Sequence, residues 1–254
     1  MYKHHQESIA HMITHYRENP QISALFLVGS VATGTARADS DLDGVAIVPQ
    51  AYCDALKSSG KGLEEVYHGK CTYEGGYFNI HYMTREQMLQ LAESGSEPMR
   101  NLFSCARVLF CDESQADLPA VAQQIATYPV SEMAAKQLRY YCTFKQFHRY
   151  FWVICKPEGF MRHHVAGGMV FNLYRLVLIE NQILFPSMRK LEEFVIRADR
   201  KPDGLVEMCR RFMETLADED AAALIDCYES WTAYDFPKAS ATIINNFANP
   251  LEWQ

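Results

Sequence analysis

Leu25 to Val48 reads LFLVGSVATGTARADSDLDGVAIV. The apolar run Leu25, Phe26, Leu27 and Val28 has the character of a buried strand. It stops at Gly29-Ser30, which opens a loop containing a second glycine, Gly34. A second strand follows, beginning at Asp41 and Asp43 and continuing through Val45, Ala46, Ile47 and Val48. Strand side chains alternate between faces, so Asp41 and Asp43 present two carboxylates on one face. Such a pair suits a hard divalent cation.

Phosphate chemistry gives the two halves a common purpose. A glycine-serine turn lets backbone N–H groups approach a phosphate closely, and carboxylates beside it can hold Mg²⁺, which takes oxygen ligands and bridges to substrate phosphates. Either half alone is an ordinary turn or strand start. In this order, each with an apolar strand beside it, the pair points to a site for phosphate and a divalent cation.

Gly29-Ser30 followed, ten residues on, by Asp41-Leu42-Asp43 resembles the signature of the nucleotidyltransferase superfamily, which includes DNA polymerase beta and the aminoglycoside and lincosamide nucleotidyltransferases. Ser40-Asp41-Leu42-Asp43 is similar to that family's Ser-Asp-x-Asp, and Gly34 with Arg37 falls where its loop is small and basic. The resemblance covers roughly residues 22 to 48. It implies Mg²⁺ held by Asp41 and Asp43, a nucleoside triphosphate such as ATP as substrate, Gly29 and Ser30 on the terminal phosphates with Ser40 beside them, and Arg37 offsetting their charge.

The whole chain sets the class. Its 254 residues suffice for one large domain or two modest ones, and 48% hydrophobic with 22% charged residues is ordinary for a soluble globular protein. A net charge of -7 argues against broad nucleic-acid binding. Eight scattered cysteines without a Cys-x-x-Cys pair, behind the polar N-terminus MYKHHQES, read as reduced thiols of a cytoplasmic protein. Val165 to Phe185, the most apolar long segment, carries Asn172, Arg175 and Glu180 and reads as a bundle helix; no membrane span is expected.

In chain order, Ile9, Met12, Ile13 and Tyr16 lie on one face of a helix over 3–18. His11 and His15, four apart on it, read as surface histidines. A short helix over 51–59 is followed by strand character at Glu64 to Tyr67, Lys70 to Tyr73 and Tyr77 to Met83. Thr84 with Gln87 makes a capping box for a helix to about Glu93. A Pro98-Met99 helix, a strand over Arg107 to Cys111 and a helix over 114–127 complete a mixed-sheet α/β domain, residues 1–129. In the family a third carboxylate sits on a strand some forty residues beyond the pair. Here the positions that should face the site are Asn79 and His81. Three readings stay open: His81 acts as the base, a carboxylate such as Glu74 or Glu132 arrives from elsewhere, or catalysis is lost.

From Ser131 onward everything reads as helical, a bundle over residues 130–254. Ser131 is expected to cap a long aromatic-rich helix from Glu132 to about Cys155, with Pro157-Glu158-Gly159 breaking it. Further helices read as 161–184, 187–198, 203–217, 219–233 and 237–247. The aromatic stripe reads first as core packing. Glu132 and Lys136 resemble the base and the nucleotide-contacting lysine of the kanamycin nucleotidyltransferases, although a Glu–Lys pair at that spacing is also common on solvated helices. Lys190 or Arg189 could hold the β and γ phosphates.

The fold class expected is therefore α+β, a nucleotidyltransferase-like domain followed by a helical bundle. The expected reaction moves a nucleoside monophosphate from the triphosphate to a hydroxyl of a small, antibiotic-like acceptor lying between the domains and releases pyrophosphate. A homodimer is compatible with this. The alternatives are an antitoxin-type protein AMP-transferase and a catalytically silent nucleotide-binding protein that lacks the third acid.

Overall fold

The computed structural model describes residues 1–236. It separates into two compact units, one over residues 1–127 and one from Tyr128 onward. The helix expected over 237–247 lies outside the described residues.

The first unit runs α1 (Lys3–Arg17), β1 (Ala24–Val28), α2 (Gly29–Thr33), β2 (Leu42–Ile47), α3 (Gln50–Ser58), β3 (Glu64–His68), β4 (Tyr77–Met83), α4 (Arg85–Ser94), α5 (Glu97–Leu102), β5 (Arg107–Cys111) and α6 (Leu118–Ala126). The five strands form one mixed sheet in the order β3-β4-β2-β1-β5. β1 is antiparallel to β2 and β5, β3 is antiparallel to β4, and β2 runs parallel to β4. Every residue of β1 is buried, as a central strand with covered faces requires.

The strand alternation sorts side chains onto two faces. Leu25, Leu27, Leu42, Ala46, Phe78 and Ile80 pack with Met12 and Tyr16 of α1 and Cys53 of α3. Ala24, Phe26, Val28, Val45 and Ile47 pack with Met88 and Leu91 of α4 and Leu118 and Val121 of α6. Asp43 shares the parity of Val45 and Ile47, so it stands at the end of this second face. Its cross-strand neighbours are Val28 on β1 and Asn79 on β4.

The structure corrects two local expectations here. Gly29-Ser30 does not open a loop but begins the five-residue helix α2, which ends at Gly34 in the left-handed region (φ 76°). Lys70 to Tyr73 is not a strand. Its backbone is held by α1 instead: Thr72 N–H donates to Ser8 Oγ at 2.9 Å and Thr72 Oγ1 donates to the His4 carbonyl at 3.1 Å.

The second unit contains α7 (Met133–Gln146), which passes directly into an eight-residue π-helical stretch, Phe147–Ile154, then α8 (Gly159–Glu180), α9 (Leu191–Arg197), α10 (Leu205–Thr215) and α11 (Asp218–Trp231). Val165, Met169, Leu173, Leu176 and Val177 of α8 run through its core, with Tyr141, Phe144 and Trp152 from the aromatic stripe packed beside them. Arg175, 3% exposed, is sandwiched between the rings of Tyr140 and Phe185 at 4.7 and 4.3 Å. Ser131 does not cap α7: Val130–Glu132 form a 3₁₀ turn and the helix begins at Met133. The start of the helix expected at 187 is likewise a 3₁₀ turn, Met188–Lys190, ahead of α9.

The capping box on α4 forms as its sequence predicts. Thr84 Oγ1 accepts from the Gln87 N–H at 3.1 Å, and Gln87 Oε1 accepts from the Thr84 N–H at 2.9 Å. Thr84→Ala removes the first of these bonds. Its expected cost is about 1 kcal/mol, read as a lower denaturant midpoint with an unchanged slope.

Candidate active site

The site is built where β1 leaves the sheet. Gly29 adopts φ +70°, and a Cβ placed on it would lie 2.1 Å from Asp43 Oδ2 and 2.9 Å from Asp43 Cγ. The Asp43 carboxylate therefore rests against the bare Cα of Gly29, an approach that only glycine permits. On its other side, Asn79 Nδ2 donates to Asp43 Oδ1 at 3.4 Å. Asp43 is thus held between β1 and β4 by the register that pairs Val28, Asp43 and Asn79.

Asp41 precedes β2 by one residue. The Tyr77 hydroxyl donates to its carboxylate. The Tyr77 phenol is pushed above its ordinary value first by that bond, then by the charge of Asp41, by burial and by the charge of Asp43. Both carboxylates are therefore felt by one ring, as their shared strand face requires.

The segment leading into Asp41 is held from beneath. Ser40 Oγ accepts from the Arg37 N–H at 2.9 Å, the Tyr73 hydroxyl donates to the Ser40 carbonyl, and His4 Nε2 donates to the Ala38 carbonyl at 2.9 Å. His5 lies fully buried beside His4 and Tyr73, and neither ring nitrogen has a hydrogen-bond partner. Its pKa is lowered by burial and then by the neighbouring His4. Tyr73, Tyr77, His4 and His5 were not visible as site residues in the sequence; only Tyr77, on the same strand face as Asn79 and His81, carried a signal that could have found it.

The other sequence candidates fall as follows. Ser30 begins α2 beside Gly29, and its carbonyl accepts from Thr33 Oγ1 and the Thr35 N–H. The Arg37 guanidinium donates to Asp39 at 3.1 Å in a solvent-exposed pair. His81 is in register with Val45, two residues beyond Asn79 and so about 7 Å further along β4. Its closest acid is Glu64 on β3, 3.8 Å away. A cavity of about 640 Å³ opens over His81, lined also by Glu64, Met83, Gln87, Ser94 and Met99. Glu74 is exposed in the turn before β4. Glu132, Lys136 and Lys190 belong to the second unit, where Lys136 Nζ pairs with Glu132 Oε2 at 2.7 Å and Lys190 ends a 3₁₀ turn. His11 and His15 are separate from any site: His15 packs against Tyr67, and His11 is exposed.

Among the described residues no three His, Cys, Asp or Glu side chains gather to hold a metal. The donors at the site are two carboxylates and Asn79, whose buried Oδ1 has no hydrogen-bond partner. An all-oxygen set of this size fits Mg²⁺, which binds through one or two carboxylates and completes its shell with water and substrate phosphates.

Residues 12–95 match the model of the nucleotidyltransferase domain family, and they contain every residue of this arrangement except His4 and His5. This segment is a nucleotidyltransferase domain. No curated protein matches the chain. Among solved structures, a nucleotidyltransferase-like protein from Exiguobacterium sibiricum 255-15 is 11% identical with a TM-score of 0.45, over 97% of this chain and 78% of that one. A chain from a toxin–antitoxin structure with AMP-PNP is 13% identical with a TM-score of 0.25, over 46% and 83%. No helix among the described residues is long and apolar enough to cross a membrane.

Gly29→Ala should destabilise the nucleotidyltransferase domain by about 1–2 kcal/mol from its left-handed backbone alone, plus the overlap with Asp43. Thermal denaturation of Gly29→Ala/Asp43→Ala should recover the overlap and leave the backbone part. A second expectation concerns acid. A buried histidine with a lowered pKa is protonated in the unfolded chain first, so stability should fall as pH drops below about 6.5. His148, lowered by burial and by Lys145, adds to the same slope. Denaturant titrations at pH 7.5 and 5.5 should show a smaller loss in His5→Phe than in the parent protein.

Proposed function

We propose that the chain transfers a nucleoside monophosphate from a nucleoside triphosphate, with ATP the first candidate, to a hydroxyl of a small molecule, releasing pyrophosphate. The observation that carries this reading is the contact of the Asp43 carboxylate with the bare Cα of Gly29 inside a nucleotidyltransferase domain. It joins the anion-approach turn to the cation-binding strand in one place.

Asp41 and Asp43 would hold Mg²⁺, with the Asn79 amide oxygen as a neutral third donor. When bound, the cation supplies charge neutralisation of the triphosphate and of its leaving group. Gly29 and Ser30 bring backbone close to the phosphates. Tyr77 holds Asp41, and Asn79 holds Asp43, so the two carboxylates keep their facing without reorganising during reaction. The acceptor is deprotonated by His81, whose imidazole can accept a proton and which lines the 640 Å³ cavity. Glu132 is the alternative base.

The absence of an acid at Asn79 favours one other reading, a nucleotide-binding protein without turnover. Pyrophosphate release from ATP, GTP, CTP and UTP with Mg²⁺ and a panel of hydroxyl acceptors separates the two. The transferase reading expects release that needs both substrates and falls at least about a hundredfold in Asp41→Asn and Asp43→Asn, the scale of losing several kcal/mol of charge stabilisation. His81→Ala should lower kcat by about 10²–10⁴ with KM little changed if the imidazole is the base. Nucleotide binding with no release from any combination would favour the silent binder.

A further inference from the structure

We propose that the helical unit carries a second small-molecule site, for a planar aromatic acid, in the cavity between α7 and the N-terminal half of α8. The cavity has a volume of about 580 Å³, within the range of small-molecule sites. Its walls are the rings of Tyr140, Phe147 and Phe171, and its lining also includes the basic side chains Arg139, His163 and His164. No carboxylate lines it, in a chain whose net charge is -7.

Two adjacent glycines shape the space. A Cβ on Gly168 would fall 2.0 Å from the Phe147 ring, so that ring packs closely against the α8 backbone. At Gly167 a Cβ would meet nothing within 4 Å, which leaves the cavity floor open where helix propensity alone would favour a larger residue. Deeper in, Asn172 is 5% exposed and donates its amide to the Gly168 carbonyl at 2.7 Å. At the rim, Met188 is 69% exposed, a polarisable side chain able to adapt to a ring.

The chemistry of the lining selects the occupant. Three aromatic walls favour a flat ring by stacking. An arginine and two imidazoles at the mouth favour an anionic group on that ring, and guanidinium recognises carboxylate and phosphate by paired hydrogen bonds. The same groups disfavour a polycationic sugar. An aromatic carboxylate and a nucleoside monophosphate both meet this description, and the proposal does not depend on the transferase reaction.

The test is calorimetric titration of the full chain without divalent metal, in an Asp41→Asn/Asp43→Asn background. One arm compares 4-hydroxybenzoate with 4-hydroxybenzyl alcohol and tyramine; the other compares AMP with adenosine. We expect at least one acid to bind at least tenfold tighter than its uncharged counterpart, and the arm that responds identifies the anion. Gly167→Leu, which fills open space on a helix, should weaken that binding at least tenfold with no fall in melting temperature. Arg139→Gln, at an exposed position, should erase the preference for the acid and decides the question if Gly167→Leu fails to fold. Binding that ignores both substitutions, equal binding of alcohol, amine and acid, or no binding of any probe at millimolar concentration would overturn the proposal.

Discussion

The nucleotidyltransferase domain depends on one close approach, the Asp43 carboxylate against Gly29. Two central strands are antiparallel, and the first must leave the sheet at the point where the second presents its acid. A side chain at that exit would occupy the position of the carboxylate, so the exit residue has none. The left-handed turn then carries the chain into α2. Fold and chemistry make the same demand on one residue, which is why the turn and the strand cannot be designed separately.

Around that contact the structure spreads its support over several hydrogen bonds. Asn79 and Tyr77 each hold one carboxylate, and the preceding loop is tied at its carbonyls by His4 and Tyr73. The one arginine in the loop pairs outward with Asp39.

The sheet and the acids were legible because strand periodicity is short and its consequences strict. Alternation from Val28 through Asp43 placed the carboxylates on one face, and the same parity placed Asn79 and His81 there. What sequence could not give was the register: Asn79 pairs with Asp43, and His81 shares the face but stands two residues beyond it. Lys70 to Tyr73 misled because Thr and Tyr favour strands, while the backbone partners that decided the matter came from Ser8 and His4, more than sixty residues earlier. His4 and His5 sat in a polar N-terminal stretch whose composition implied solvent, and only the tertiary fold buries His5. In the second unit, a π-helical stretch differs from an α-helix by less than one residue per turn, too little for eight residues of aromatic sequence to reveal.

The parallel pairing of β2 with β4 has a consequence for how the domain is made. Every other pair in the sheet could form independently of it, but Asp43 and Asn79 meet only after the intervening chain, including α3 and β3, has crossed over and closed. Closing such a loop costs entropy before any contact returns it. A partly folded chain can therefore own a complete β1–β2 hairpin, with Gly29 already against Asp43, and still lack the amide that steadies the acid. Hydrogen-exchange protection at Asn79 would then mark the moment at which β4 closes onto β2 and the amide reaches Asp43.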